Sequence, residues 1–373
     1  MAILERKDVH IGDLDRQERR RTIRRKNQMN SLVFVVACIA AFAVLLAGAI
    51  ALYMWVNKED QASHEAVNLE NQQVSETVRM YTQEEMEAHA ALLAEAEKQK
   101  LLDQLAEELN SGNTMVQTLR SLYDDHIVVA SSGKYHFVPI TDAYKKHNYR
   151  TENIVISGKE LSYVENGQQI SHKGIDVSKY NGTIDWSKVA ADGVEFAFIR
   201  VGIRGYGAEG RLVADEGFEI NIENALKNGI KVGVYFFTQA TTEDEAREEA
   251  AFVADLIAPY KIQCPVVVDV EKIDDSEARM NKISAEERTK MVKIFCQEIE
   301  KAGYHSMIYF NMEMAAVMLD LAQLEEYDKW FAYYNKDIYY PYEFKVWQYS
   351  DKGTVDGIDG QVDMNISFGE IWK

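Results

Sequence analysis

Val266-Val267-Val268-Asp269-Val270-Glu271 reads as a buried strand that ends in two carboxylates. Side chains alternate across a strand, so Val267, Asp269 and Glu271 share one face and Val266, Val268 and Val270 the other. Two residues along a strand span roughly 6–7 Å. The apolar run fixes both acids on a rigid element and places them in a common, partly dry site. That suits acid/base chemistry on a glycosidic bond, where one carboxyl stays protonated and another stays charged. From this stretch alone, an acidic pair capping the next helix is an equal reading.

The surrounding chain decides between them. From Lys173 onward strands and helices alternate. Strand-like runs are Gly174–Val177, Phe196–Val201, Lys231–Phe237, Pro265–Val270 and Ser306–Phe310. Each is followed by a helical stretch: Asp185–Ala191, Phe218–Asn228, Thr242–Ile257, Ser284–Ala302 and about Met312–Leu321. Three more strands, Trp330–Tyr334, Val346–Tyr349 and Val362–Ile366, follow with no long helix between them. Five βα units and three strands predict an α/β fold, an irregular TIM-like barrel, with functional side chains at the carboxyl ends of its strands.

Acids and aromatics fall at those ends. In order they are Gly174-Ile175-Asp176-Val177-Ser178, Ile184-Asp185-Trp186, Phe198-Ile199-Arg200, Gly233-Val234-Tyr235-Phe236-Phe237, Asp269-x-Glu271, Trp347-Gln348-Tyr349-Ser350 and Val362-Asp363-x-Asn365. This ordered set resembles the glycoside hydrolase family 25 lysozymes, the N-acetylmuramidases of bacterial and phage origin, over about Lys173–Lys373. The resemblance implies a (β/α)5(β)3 barrel. It also implies cleavage of the β-1,4 bond between N-acetylmuramic acid and N-acetylglucosamine in peptidoglycan, with no cofactor and no metal. The family's four acidic positions fall on Asp176, Asp269, Glu271 and Asp363.

The residues themselves suggest compatible roles. Glu271, at the mouth of the site, is the candidate general acid, because partial burial and neighbouring carboxylates raise a carboxyl pKa. Asp269 or Asp176 would carry the negative charge facing an oxocarbenium-like centre. Asp363 would orient or support them. Asp185 precedes a helix and reads as an N-cap. Tyr235, Tyr309, Trp330, Tyr333 and Trp347 offer flat faces for sugar rings, with barrel core as the plainer reading of each. Asn311, at the end of the fifth strand, is a further candidate substrate contact, and Arg200 could bind an acidic or acetamido substituent. Trp186 and Trp372 read as structural. A family 18 chitinase pattern, Asp-x-x-Asp-x-Asp-x-Glu, is set aside because Cys264 and Val267 occupy its first two acidic positions. The alternative of another class is a non-catalytic wall-binding or scaffold protein of an envelope apparatus.

Ahead of the barrel, Ser31–Val56 is 26 residues without a charge. At 1.5 Å per residue it exceeds a hydrocarbon core of roughly 30 Å, and a signal-peptide core is shorter. Arg16, Arg19, Arg20, Arg21, Arg24, Arg25 and Lys26 precede it, so the N-terminus is expected in the cytoplasm and everything beyond Val56 outside. The expected order is a basic tail (1–30), a single-pass transmembrane helix (31–56), a helical stalk (57–112), a small mixed module of unknown role (113–172) and the catalytic domain (173–373). Residues 57–110 hold no Gly or Pro. Val67, Val74, Tyr81, Ala88, Leu102 and Leu109 recur every seven residues with Glu95 as an interruption, which makes the stalk a candidate for self-association. Glu165-Asn166-Gly167-Gln168 predicts a hairpin turn in the module.

Taking the nine basic and five acidic residues of 1–30 from the totals of 41 and 60 leaves 32 and 55, a strongly acidic remainder. That argues against a polyanion such as nucleic acid as a tightly held partner, though not against a polyanionic polymer as substrate at a local site. Peptidoglycan and the membrane are the expected partners. Beyond the span only Cys264 and Cys296 occur, too few for a disulfide framework; two buried free thiols are expected, with a single Cys264–Cys296 bridge as the alternative. No Cys/His cluster has metal-ligand spacing.

Overall fold

The computed structural model describes residues 82–373. The basic tail, the span expected at 31–56 and the first part of the stalk lie outside the described residues. Among the described residues no helix is long and apolar enough to cross a membrane. The chain divides into a unit ending at Ala91 and a unit Leu92–Lys373.

Helix α1 covers Gln83–Asn110 and buries no residue. Its Glu, Gln, Ala and Leu content favours the helix on intrinsic preference alone. Gly112, at φ 89°, takes the left-handed conformation that ends helices.

The segment from 114 to 170 opens with α2 (Met115–Leu122), started by a capping box between Thr114 and Gln117. Strands β1 (His126–Ser131) and β2 (Lys134–Pro139) pair antiparallel across Ser132 and Gly133, both at positive φ. Strands β3 (Ile154–Ser157), β4 (Glu160–Glu165) and β5 (Gln168–Gln169) make a second antiparallel sheet. Asn166 (φ 52°) and Gly167 (φ 79°) form the turn between β4 and β5, as the Asn-Gly pair predicts. Ile127, Val129, Leu161 and Tyr163 belong to the same buried cluster as the outer barrel residues. The Tyr163 ring meets Phe368 edge-on at 5.1 Å, and the Arg120 guanidinium lies 4.3 Å over the Tyr339 ring. The segment therefore shares one apolar core with the barrel. The boundary expected at 172/173 falls inside strand β6, which starts at Ser171.

The barrel runs β6 (Ser171–Val177), α3 (Trp186–Ala191), β7 (Phe196–Arg204), β8 (Leu212–Ala214), α4 (Phe218–Lys227), β9 (Lys231–Phe237), α5 (Glu243–Ile257), β10 (Val266–Asp269), α6 (Ala285–Lys301), β11 (Ser306–Asn311), β12 (Asp328–Ala332), β13 (Val346–Gly353) and β14 (Val362–Phe368). Strand order around the closed sheet is β6, β7, β9, β10, β11, β12, β13, β14 and back to β6. The pairs are parallel except that β14 is antiparallel to both β13 and β6, while β8 is a short antiparallel arm on β7. This is the (β/α)5(β)3 arrangement. Asp185 caps α3, accepting from the N–H groups of Ser187 and Lys188.

One expected helix differs. Instead of a helix over 312–321, there is a π-helical turn at Met314–Met318 and a 3-10 turn at Leu321–Leu324. Tertiary bonds break the helix: the Met318 carbonyl accepts from Arg288, and the Asp320 N–H donates to the Thr289 hydroxyl, both on α6.

Strand alternation sorts the core into two shells. Phe196, Phe198, Val267, Met307, Trp330 and Val346 fill the barrel interior. Ile175, Ile199, Val234, Val268, Ile308 and Phe331 face the helices. The interior phenylalanines rest against glycines. A Cβ on Gly174 would fall 2.2 Å from the Phe196 ring, and one on Gly233 2.6 Å from Phe198, so neither position accommodates a side chain without repacking.

Candidate active site

Above this packed interior, at the carboxyl ends of the parallel strands, lies a cleft of about 670 Å³. Four acids converge on it: Asp176 from β6, Asp269 from β10, Glu271 two residues beyond, and Asp363 from the start of β14. Because β14 runs antiparallel, its first residues reach the same end at which the other strands finish, and Asp363 is the register partner of Asp176. Tyr235, Tyr309 and Trp330 also line the cleft. Trp330 is its floor, stacked on Phe198 at 4.5 Å and edge-on to Tyr309 at 4.6 Å.

Asp176 is buried and held by two amides. Gln348 Nε2 and Asn365 Nδ2 each donate to its Oδ2 at 2.8 Å. Both amides are themselves oriented. Gln348 Oε1 accepts from the hydroxyls of Tyr309 and Tyr334, each at 2.8 Å. Asn365 Oδ1 accepts from the Trp330 indole N–H at 2.8 Å. These acceptor roles fix the amide orientations, leaving the NH₂ groups to face the carboxylate. Burial raises the Asp176 pKa, while the two amides and Asp363 oppose the rise. Asp363 is raised by its own burial, then by the charges of Asp176 and Asp351, and by its hydrogen bond to Asp176. In this pair Asp363 holds the proton and Asp176 accepts from it.

Asp269 and Glu271 form the second pair. Burial pushes Asp269 well above the ordinary carboxylate range, and the Glu271 charge and a hydrogen bond to Glu271 add to it. Its Oδ1 is buried without a hydrogen-bond partner among the described residues. Glu271 is raised mainly by burial; a hydrogen bond from Asp269 opposes this and the Asp363 charge reinforces it. One proton is thus shared across two coupled carboxyls, as expected of neighbouring acids in a low-dielectric site. Glu271 is the member that projects beyond the strand end. The cleft so combines a shared, retained proton with an ionised carboxylate locked by amide donors, which is the division of labour that glycoside hydrolysis requires.

The other expected residues divide. Arg200 lines the cleft, clamped by Asp215 (Nε–Oδ2 2.7 Å, Nη2–Oδ2 2.6 Å). Three expected substrate contacts are elsewhere. Trp347 is buried in the outer shell, its indole N–H donating to the Tyr333 carbonyl at 2.8 Å. The Tyr333 hydroxyl accepts from Arg120 and from Asn335, each at 3.0 Å. Asn311 Oδ1 accepts from the Met314 N–H and starts the π-helical turn. Alternation explains the first two: Trp330 and Tyr333 are three apart and cannot share a strand face, and Trp347 has the opposite parity to Gln348. The same rule points to residues the sequence reading missed, Phe237 two beyond Tyr235 and Gln348 itself, both lining the cleft. Tyr334 also lines it, four residues past Trp330. Trp186 is buried against Asn221 and Trp372 packs edge-on to His172, both away from the site.

Among the described residues no group of His, Cys, Asp and Glu has the geometry of a metal site. Cys264 and Cys296 are free and buried.

Residues 175–358 match the family model for glycosyl hydrolases family 25. Asp176, Asp269 and Glu271 lie inside that match, and Asp363 lies just beyond it. The uncharacterized protein YegX of Escherichia coli K12 is 28% identical over 247 residues, covering 63% of this chain and 80% of YegX. An autolytic lysozyme of Clostridium acetobutylicum is 25% identical over 198 residues, covering 52% of this chain and 55% of that protein. The modular autolysin LytC of Streptococcus pneumoniae superimposes with a TM-score of 0.47 at 22% identity. That match covers 66% of this chain and 58% of LytC.

Proposed function

We propose, from the premise that this chain is a glycoside hydrolase whose residues 175–358 form its glycosyl hydrolase family 25 domain, that it cleaves the β-1,4 bond between N-acetylmuramic acid and N-acetylglucosamine in peptidoglycan. The observation that carries this reading is the meeting of Asp176, Asp269, Glu271 and Asp363 in one cleft over an aromatic floor. Glu271 gives the shared proton to the leaving oxygen as the glycosidic bond breaks. Positive charge develops at the anomeric carbon, and Asp176, kept ionised by Gln348 and Asn365, faces it. Water completes the hydrolysis and its proton returns to the Asp269–Glu271 pair. Tyr235, half-buried at the cleft, gives the sugar rings a flat apolar surface above the buried Trp330. Muropeptide mass spectrometry of a digest is the test. New reducing ends on N-acetylmuramic acid support the assignment, and reducing N-acetylglucosamine, or no new ends, overturns it.

The same reading places the enzyme at the outer face of a cell membrane, anchored through residues 31–56 with residues 1–30 in the cytoplasm. The uncharged span and its basic flank support this. A tethered hydrolase with an acidic surface serves local wall remodelling rather than bulk lysis. An impermeant thiol reagent added to intact cells should label Ser111→Cys and spare Asn27→Cys; the reverse pattern refutes the topology. Leu102 and Leu109, exposed and seven residues apart on α1, support self-association through the stalk, which sedimentation of the full chain measures.

A further inference from the structure

A second cavity, of about 1120 Å³, adjoins the catalytic cleft. Tyr334 borders both cavities, and its hydroxyl is anchored on Gln348. One wall is the β3–β4 hairpin, which precedes residues 175–358; the other is formed by the segment after β12 and by β13.

The charge of this groove contrasts with that of the chain. On a protein with 60 acidic and 41 basic residues, Lys159, Lys336 and Lys352 all line the groove and are all exposed. Among the described residues none of their three ammonium groups has an ion-pair partner. Of the two acids that line the groove, Glu160 is tied to Lys173, which leaves Asp351 alone against three cations. Neutral N-acetylated sugars have no use for such a strip. A muramoyl sugar, however, carries a peptide on its lactyl arm, and that peptide bears free carboxylates. With the sugar in the cleft, the peptide has to leave it along a side wall, and the groove opens behind Tyr334.

We propose that this groove binds the carboxylate-bearing peptide stem of the glycan, with Lys159, Lys336 and Lys352 pairing with its carboxylates. The β3–β4 hairpin is then a specificity element for peptide-substituted glycan. This rests on the peptidoglycan reading above. Exposed ion pairs are individually weak, so three together supply a preference rather than an absolute requirement.

The test compares the full chain with its Lys159→Glu/Lys336→Glu/Lys352→Glu variant on two substrates: peptide-bearing peptidoglycan, and the same glycan after an amidase has removed the stems. The readout is the ratio of kcat/KM on the first to that on the second. We expect the ratio to fall about tenfold in the variant, equivalent to about 1.4 kcal/mol. It should also fall in the parent as salt is raised. Lys159→Glu alone, at the exposed hairpin, should shift it about threefold in the same direction and guards against misfolding of the triple variant. A parent that cuts both substrates, with a ratio that neither variant changes, overturns the groove assignment and leaves the glycosidase reading standing. A parent that cuts neither overturns both.

Discussion

Asp363 stands directly opposite Asp176 across the β14–β6 ladder, two acids on facing positions of one sheet. Like charges so placed are destabilising, and the strain is avoided while Asp363 stays protonated, its pKa pushed up to about 8. A carboxyl raised in the folded state binds more protons there than in the unfolded chain. Its contribution is therefore complete below the unfolded value near 4 and is lost as pH rises towards 8. Asp363→Asn keeps a donor to Asp176 and removes the titration. At pH 8 it should stabilise by about 1 kcal/mol, raising Tm by roughly 2–4 °C, with a smaller gain at pH 5. Thermal melts at the two pH values test this; an equal gain at both, or a loss, contradicts it.

Glu271→Gln should lower kcat by about 10²–10⁴ while leaving the fold intact, because the side chain keeps its shape and loses its proton. The parent should also lose activity as pH rises through the raised pKa of the Asp269–Glu271 pair. Turbidity loss of purified walls across pH 4–9 measures both. Retained activity in the variant removes Glu271 from the role of acid.

Gln348→Leu removes one of the two amides on Asp176 and the shared acceptor of Tyr309 and Tyr334. A hydrogen bond to a charged group contributes about 1.5–3 kcal/mol, so kcat should fall roughly 10–100-fold. Asp176 is then less well held as an anion, and the acidic limb of the pH profile should move upward. A fall in kcat with no movement of that limb would mean that Gln348 acts only through packing.

Tyr163→Ala probes the segment ahead of the barrel. Tyr163 is fully buried, receives hydrogen bonds from the Arg150 N–H and the Asn153 amide, and meets Phe368 of β14. Loss of a buried aromatic costs about 3–5 kcal/mol. Unfolding of the variant should remain a single transition at lower denaturant. Two transitions would show that the segment folds apart from the barrel.

The barrel was legible because each strand announces itself locally: apolar runs such as Val266–Val270 and Lys231–Phe237 need no distant information. Asp176, Asp269 and Glu271 were legible because each follows or ends such a run, and Asp363 because it opens one, Val362–Phe368. Tyr333 and Trp347 were misplaced by treating every aromatic near a strand end alike, when parity along the strand separates Trp330 from Tyr333 and Gln348 from Trp347. The helix expected over 312–321 failed for a different reason. The bonds of Arg288 and Thr289 that interrupt it come from a helix some thirty residues earlier, and no local pattern carries them. Likewise, nothing near Arg120 announces that it reaches Tyr333.

Cys264 packs inside the barrel and Cys296 lies in the outer shell on α6, so the sheet wall stands between the two sulfurs. Burial pushes the Cys264 thiol up to about 12 and raises Cys296 as well, which keeps both out of the reactive thiolate form. From Thr82 to Lys373 the folded chain consequently presents no exposed thiol. Once folded, it can pass from a reducing interior to an oxidising exterior without a cross-link forming between these two buried thiols.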